Sequence, residues 1–220
     1  MYEELEKVTK LLEEQGYEIN DPWDVVDAFE KKVAEYAGSK YAVSLDNCTN
    51  AMFLCLKYLN ASDTITIPKR TYLSVPGAII HAGCDVRFEE VEWSGVYQLK
   101  PYPIYDSATR FKKGMYVQDS YQCLSFHMKK ILGIAKGGMI LTNDKEAYEW
   151  FKVARYEGRH TNIPYQEDTF DMLGWNMYMP PEQAARGIML FEQIADDNDD
   201  CGGSWRYHDI SEFEIFKSGE

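Results

Sequence analysis

Ser125-Phe126-His127-Met128-Lys129-Lys130, closed by Gly137-Gly138 and the run Met139-Ile140-Leu141-Thr142-Asn143-Asp144, is the stretch on which the fold turns. A lysine follows a short apolar segment at a strand end, and a glycine pair precedes a second strand. Such an arrangement holds an amine at the rim of a sheet, partly out of water. There its ammonium form is disfavoured and its nucleophilic form comes within reach. Lys-Lys pairs are also ordinary solvated surface, so the weight falls on three segments upstream.

Working outward, the pattern predicts helices over 1–17 and 23–36, the second starting after Asp21-Pro22 and ending at Gly38-Ser39-Lys40. A short apolar strand follows at 41–45, a polar turn at 46–49 and an apolar helix at 50–59. The strand 64–67 is stopped by Pro68, and a helix at 74–82 tolerates Pro76 in its first turn. Strands are predicted at 85–88, 103–105, 122–126 and 139–142, and helices at 146–155 and 181–194. This alternation implies an α/β fold with a parallel, helix-covered sheet. Residues 92–102 are too few for a covering helix and a strand. Beyond Asp196 the chain is polar, Gly-rich and short.

The 220 residues suffice for one sizeable domain, and 45% hydrophobic content is ample for its core. A net charge of −13 argues against general nucleic-acid binding, although a small anion needs only a local cluster of donors. The run Asp196-Asp197-Asn198-Asp199-Asp200 reads as a solvated acidic face. Five widely spaced cysteines and four scattered histidines lack ligand spacing, so no metal site is expected. No apolar run approaches a membrane span and residues 1–20 carry no signal-type apolar core, which predicts a soluble, cytoplasmic protein.

Ligands in α/β sheets sit beyond the carboxyl ends of the strands, where helix N-termini accept phosphate. Asn47-Cys48-Thr49-Asn50 lies at such a point, and its free amides with the Thr49 hydroxyl suit a phosphate; plain capping by Asn47 or Thr49 is the alternative. Asp106 closes a strand at the same edge. A buried carboxylate needs a partner, and a protonated pyridine nitrogen is one; capping the next segment or pairing with Arg110 are others. Tyr72 is placed to lie flat on a ring or to be ordinary core.

Taken in order, these segments resemble the DegT/DnrJ-type sugar aminotransferases, enzymes of the aspartate-aminotransferase fold (fold type I) that use pyridoxal 5′-phosphate (PLP). The resemblance is carried by Gly38-Ser39-Lys40-Tyr41-Ala42-Val43, Cys48-Thr49-Asn50-Ala51-Met52, Pro68-Lys69-Arg70-Thr71-Tyr72 through Ala82-Gly83, and Asp106-Ser107-Ala108-Thr109. Ser125 through Lys130 with Gly137-Gly138 continues it, as do Gly174-Trp175-Asn176-Met177-Tyr178-Met179 and Glu182-Gln183-Ala184-Ala185. It implies a helical segment at 1–22, a PLP-binding domain at 23–195 and a short remnant at 196–220, with the C-terminal small domain reduced or absent.

The resemblance also implies roles. Lys130, selected over Lys129 by its spacing from the serine, would form the aldimine and shuttle the proton. Asp106 would keep the pyridine nitrogen protonated, and Tyr72 would stack on the ring. Cys48, Thr49 and Ser125 would bind the phosphate, and Thr109 stands near the cofactor hydroxyl. Asn176 would reach the phosphate of a neighbouring subunit, implying a homodimer with shared sites. The activity implied is transfer of an amino group from glutamate to a nucleotide-linked keto-sugar. Against the family, the βα unit expected between Val91 and Ile104 is largely missing and the C-terminal domain is reduced to a stub after Asp196. This shortening favours, as the alternative, a reduced homologue that binds PLP or a nucleotide-sugar without transamination. Tyr178 at a usual arginine and Lys136 in place of an acidic residue are further departures. A PLP-dependent dehydration is disfavoured because the lysine is kept.

Overall fold

The computed structural model describes residues 2–216. Helix α2 (Pro22–Ala37) begins at a capping box: Asp21 accepts from Trp23 N, and Asp24 accepts from the Asp21 amide at 2.9 Å. Gly38, at φ 85°, ends it in the left-handed region. Helix α1 (Tyr2–Glu14) is shorter than the expected 1–17, because Gly16 turns the chain at φ 88°; Met1 lies outside the described residues. Val8 and Leu12 of α1 are buried in one core with α2 and α6 (Pro181–Phe191).

Strands β1 (Tyr41–Leu45), β7 (Gly138–Thr142), β6 (Tyr121–Ser125), β5 (Ile104–Asp106) and β4 (Tyr97–Leu99) pair in that order. Strands β2 (Ile65–Pro68) and β3 (Val86–Glu89) pair beside them, linked through an antiparallel Thr66–Lys100 bridge. β5 and β6 are parallel, β7 opposes both β6 and β1, and β4 opposes β5. Taking the bridge into account, five of the seven described strands run one way and β4 and β7 run against them. The sheet is therefore mostly parallel in strand direction but mixed in pairing. The reason lies in chain length: parallel neighbours need a crossover of roughly a dozen residues or more. Residues 90–96 and 100–103 allow only a reversal, so 92–102, read as too short for a helix and a strand, supplies the strand β4 without the helix.

Alternation along the strands builds a core on each face. Ala42, Leu124, Met139 and Leu141 face α1, α2 and α6 with Phe29 and Phe126. Val43, Leu45, Cys123 and Ile140 face α3 (Cys48–Tyr58), α4 (Ser74–Ala82) and α5 (Lys145–Ala154) with Met52, Ile79 and Phe151. α3 begins two residues before the expected 50, because its cap is Asn47. A buried polar knot ties α2 to β1 and α5: Glu30 accepts from Ser44 N and Oγ at 2.8 Å each, and pairs with Lys152 at 3.0 Å and with Arg155. Burial alone would raise the Glu30 pKa, but the Arg155 and Lys152 charges lower it to about 2.

Among the described residues no helix is long and apolar enough to cross a membrane, and no group of three or more His, Cys, Asp or Glu side chains is placed to hold a metal ion.

Candidate active site

The carboxyl ends of β1, β2, β5 and β6 open on one cavity of ≈ 660 Å³, within the usual size range for small-molecule sites. Cys48, Thr49, Tyr72, Asp106, Thr109, Ser125 and Lys130 all line it. Seven of the eight residues singled out from sequence thus converge, although they lie up to 82 positions apart (130 − 48).

The phosphate-like corner is built by the start of α3. Asn47 leaves β1 in extended conformation and caps the helix, accepting from Asn50 N at 2.8 Å. Asp46 steadies it, accepting from Asn47 Nδ2 and Asn50 Nδ2 at 2.9 and 2.7 Å. Capping by Asn47 leaves the Cys48 and Thr49 amides, in the first turn, without intrahelical acceptors. Thr49 does not cap; its hydroxyl lies 2.8 Å from Ser74 Oγ at the start of α4, a helix with no side-chain cap. Ser74 is a cavity residue that sequence reasoning missed, and its position at a helix start after a strand was the available signal.

Ser125 ends β6 opposite Gly138, which also pairs with Leu45 of β1. A Cβ on Gly138 would lie 2.3 Å from the Asn47 carbonyl carbon and 2.5 Å from Cys48 N. The glycine is therefore what lets the first peptide of α3 press against β7 beside Ser125.

Lys130 lies in the turn after β6, its amide donating to His127 O at 2.8 Å. It is half-buried, whereas Lys129 is exposed. Both line the cavity, but the Lys130 charge acts on Asp106 and Cys48. Among the described residues its Nζ has no hydrogen-bond or ion-pair partner.

Asp106 ends β5, buried at the cavity floor. Oδ1 accepts from Ala108 N at 2.9 Å and Oδ2 from the Tyr97 hydroxyl at 2.6 Å. Burial pushes its pKa up; the Tyr97 and Ala108 donors and the Lys130 charge pull it down less strongly. Arg110, the alternative partner, is instead engaged by Asp200 through Nε at 2.8 Å and Nη2 at 2.7 Å. Asp200 is thus withdrawn from the acidic run that was read as wholly solvated.

The cavity's outer wall comes from residues 200–210, read from sequence as a polar remnant. Cys201 N donates to Thr109 O, Gly95 N to Gly202 O, and Ile210 N to Lys69 O, while Asp209 pairs with Lys69 at 2.8 Å. Tyr207 stacks on Trp93 at 5.8 Å between centroids and meets Tyr72 edge-on at 6.4 Å. Burial, then the nearby Asp106 charge, pushes the Tyr207 pKa up to about 12. The signal was the aromatic and cationic Trp205-Arg206-Tyr207 inside a polar tail; Arg206 and Tyr207 line the cavity. Thr109 is committed to this wall, its hydroxyl donating to Gly202 O at 2.9 Å. Tyr72 stands at the mouth, 56% exposed.

Asn176 is the residue that does not join them. It is exposed and donates to Glu157 Oε1 at 2.7 Å, outside its own chain's cavity. Tyr178 packs edge-on against Trp23 and Tyr156.

The sequence profile of the DegT/DnrJ/EryC1/StrS aminotransferase family matches residues 2–118 and 113–200. The chain is similar to the spore coat polysaccharide biosynthesis protein SpsC of Bacillus subtilis (24% identity; 88% of this chain, 62% of that protein). It is also similar to the GDP-perosamine synthase of Escherichia coli O157:H7 (27% identity; 81% and 60%). Its fold is that of the sugar aminotransferase CalS13 from Micromonospora echinospora (TM-score 0.68, 14% identity; 88% and 66%). The chain spans about 60% of the length of the curated relatives it matches. With matches that run from α1 past α6, the chain belongs to the DegT/DnrJ/EryC1/StrS aminotransferase family.

Proposed function

We propose that the cavity binds PLP and that the chain is an aminotransferase, moving an amino group from glutamate to a keto-sugar carried on a nucleotide. The donor set fits this cofactor. A phosphate needs the uncapped amides of α3 and the hydroxyls of Thr49, Ser74 and Ser125; a protonated ring nitrogen needs a buried carboxylate; an aldehyde needs an amine. The observation that carries the reading is the unpartnered Lys130 amine in one cavity with buried Asp106 and the start of α3.

Bound there, PLP would supply the electron sink for a carbanion next to nitrogen. The protein's part is to bind and to move protons. Lys130 Nζ, without an ion pair among the described residues, is the base that takes the donor's α-proton and returns it. Asp106 holds the ring nitrogen's proton. Tyr72 covers the mouth against water, with Tyr207 beside it. The similarity to a GDP-perosamine synthase supports a nucleotide-linked sugar as the acceptor, and a homodimer in which Asn176 serves the partner's site accords with its exposure here.

The expected test result is a visible absorbance band on adding PLP, lost in Lys130→Ala and kept in Lys129→Ala. Glutamate should then convert the band to that of the aminated cofactor. The competing reading is a homologue that binds PLP or a nucleotide-sugar without transamination. A band that glutamate leaves unchanged, with keto-sugar still bound, would establish that reading instead.

A further inference from the structure

The cavity floor contains a hydrogen-bond chain that the reaction above leaves without a role. Asp106 Oδ2 lies 2.6 Å from the Tyr97 hydroxyl, which lies 2.5 Å from Thr71 Oγ1. The three side chains are 6%, 8% and 2% exposed, so water does not compete for these bonds. Proton counting fixes the direction. The Tyr97 hydroxyl donates to Asp106 Oδ2, and a phenol has one proton, so Tyr97 accepts from Thr71.

The β4–β5 hairpin is what brings a tyrosine here. Tyr97 is the cross-strand partner of Asp106, and Trp93 packs against its ring at 4.7 Å between centroids. Thr71 arrives from the segment after β2. Among the described residues Tyr97 is the one side chain that donates to Asp106.

We infer that Tyr97, backed by Thr71, is a positioning residue that keeps Asp106 ionised and aimed, so that a carboxylate rather than a carboxylic acid meets the ring nitrogen of the bound cofactor. The inference rests on the cofactor reading above. Its physical basis is that burial alone pushes Asp106 towards its neutral form, which could not hold a protonated pyridine. The groups facing Asp106 are Tyr97 from β4, Cys48 from α3, Cys123 from β6, Lys130 from the turn after β6, and Tyr207 from the C-terminal segment. Both thiols are raised by burial and Tyr207 is raised to about 12, so near neutrality these three carry no charge. Lys130, the Tyr97 hydroxyl and the Ala108 amide are left to oppose burial, and Lys130 is the group consumed when it engages an aldehyde. Tyr97 is then the side-chain donor that stays.

The test is the titration of Asp106 in cofactor-free protein, followed by carboxyl ¹³C NMR on aspartate-labelled samples and assigned with Asp106→Asn. Tyr97→Phe, which keeps the ring, should raise the Asp106 pKa by about one to two units, the range for losing one hydrogen bond to a charged group. Thr71→Val should raise it by a smaller but measurable amount. A folded Tyr97→Phe protein whose Asp106 titrates as in the parent would overturn the inference and leave Tyr97 a packing residue. Should Tyr97→Phe fail to fold, an unmoved Asp106 in Thr71→Val overturns it equally. Because no cofactor is present, failure of PLP to bind sinks the functional reading in a separate experiment, by absorbance.

Discussion

Replacing Gly138 by alanine puts the link between sheet packing and cofactor binding to a direct test. The added Cβ would lie 2.3 Å from the Asn47 carbonyl carbon, 2.5 Å from its oxygen and 2.5 Å from Cys48 N, all backbone atoms. Ordinary contact begins near 3.4 Å, so the first peptide of α3 must retreat by about 1 Å (3.4 − 2.3). A hydrogen bond of about 2.9 Å stretched by that amount passes the limit at which it still contributes. Losing one charge-assisted bond from the amides to a phosphate removes roughly 1.5–3 kcal/mol, or about 10–100-fold in affinity. Overpacking should also lower stability by about 1–3 kcal/mol. Gly137→Ala is the control: its Cβ would meet Met179 Cε at 2.9 Å and Ile134 Cδ1 at 3.1 Å, flexible side-chain ends that can give, and Phe126 Cβ at 3.3 Å. Titration of both variants with PLP by absorbance, alongside urea unfolding, separates the two glycines. A Gly138→Ala protein that binds PLP as tightly as the parent refutes the reasoning.

Glu30→Gln should destabilise the fold by about 3–5 kcal/mol in urea unfolding, because fully buried Arg155 loses its counter-charge; a loss below 1 kcal/mol would contradict that. Glu30 sits at about 2 in the fold against 4.5 unfolded, so its contribution, about 3 kcal/mol, is complete above pH 4.5 and lost as pH falls towards 2. Acid unfolding of the parent, but not of Glu30→Gln, should show that dependence. Asp200→Asn should loosen residues 200–207 from Arg110 and speed their amide exchange several-fold while β6 and β7 stay protected; unchanged exchange would mean the wall is held elsewhere.

Most of the candidate site was legible because the residues that line the cavity sit at strand ends or helix starts, and local chemistry announces those places. Asp21-Pro22 and Gly38 bracket α2, and Asn47 caps α3 where a strand stops. Lys130, Asp106 and Thr49 fall together because the sheet places those ends on one edge. What sequence could not give were contacts whose partners are far apart in the chain. Thr71 meets Tyr97, and the wall of residues 200–210 meets Thr109, only once the sheet has formed. β4 escaped notice because three residues with one polar position carry almost no periodic signal. Arg110, one of the alternative partners for Asp106, is taken by Asp200 for a related reason: that carboxylate lies 90 positions away.

The hairpin that carries Tyr97 also bears on how the molecule assembles. Tyr97 and Asp106 are nine positions apart, whereas β1 meets β7 across roughly a hundred, Tyr41 opposite Thr142. Closing a long loop costs more entropy than closing a short one, so chain entropy favours joining the carboxylate to its donor before the β1–β7 seam closes with the start of α3 on Gly138. The cavity thus joins a floor set by local chain to a corner set by a long-range seam. A ligand that spans both would act as a proofreader of the finished sheet, holding best those molecules whose seam has closed.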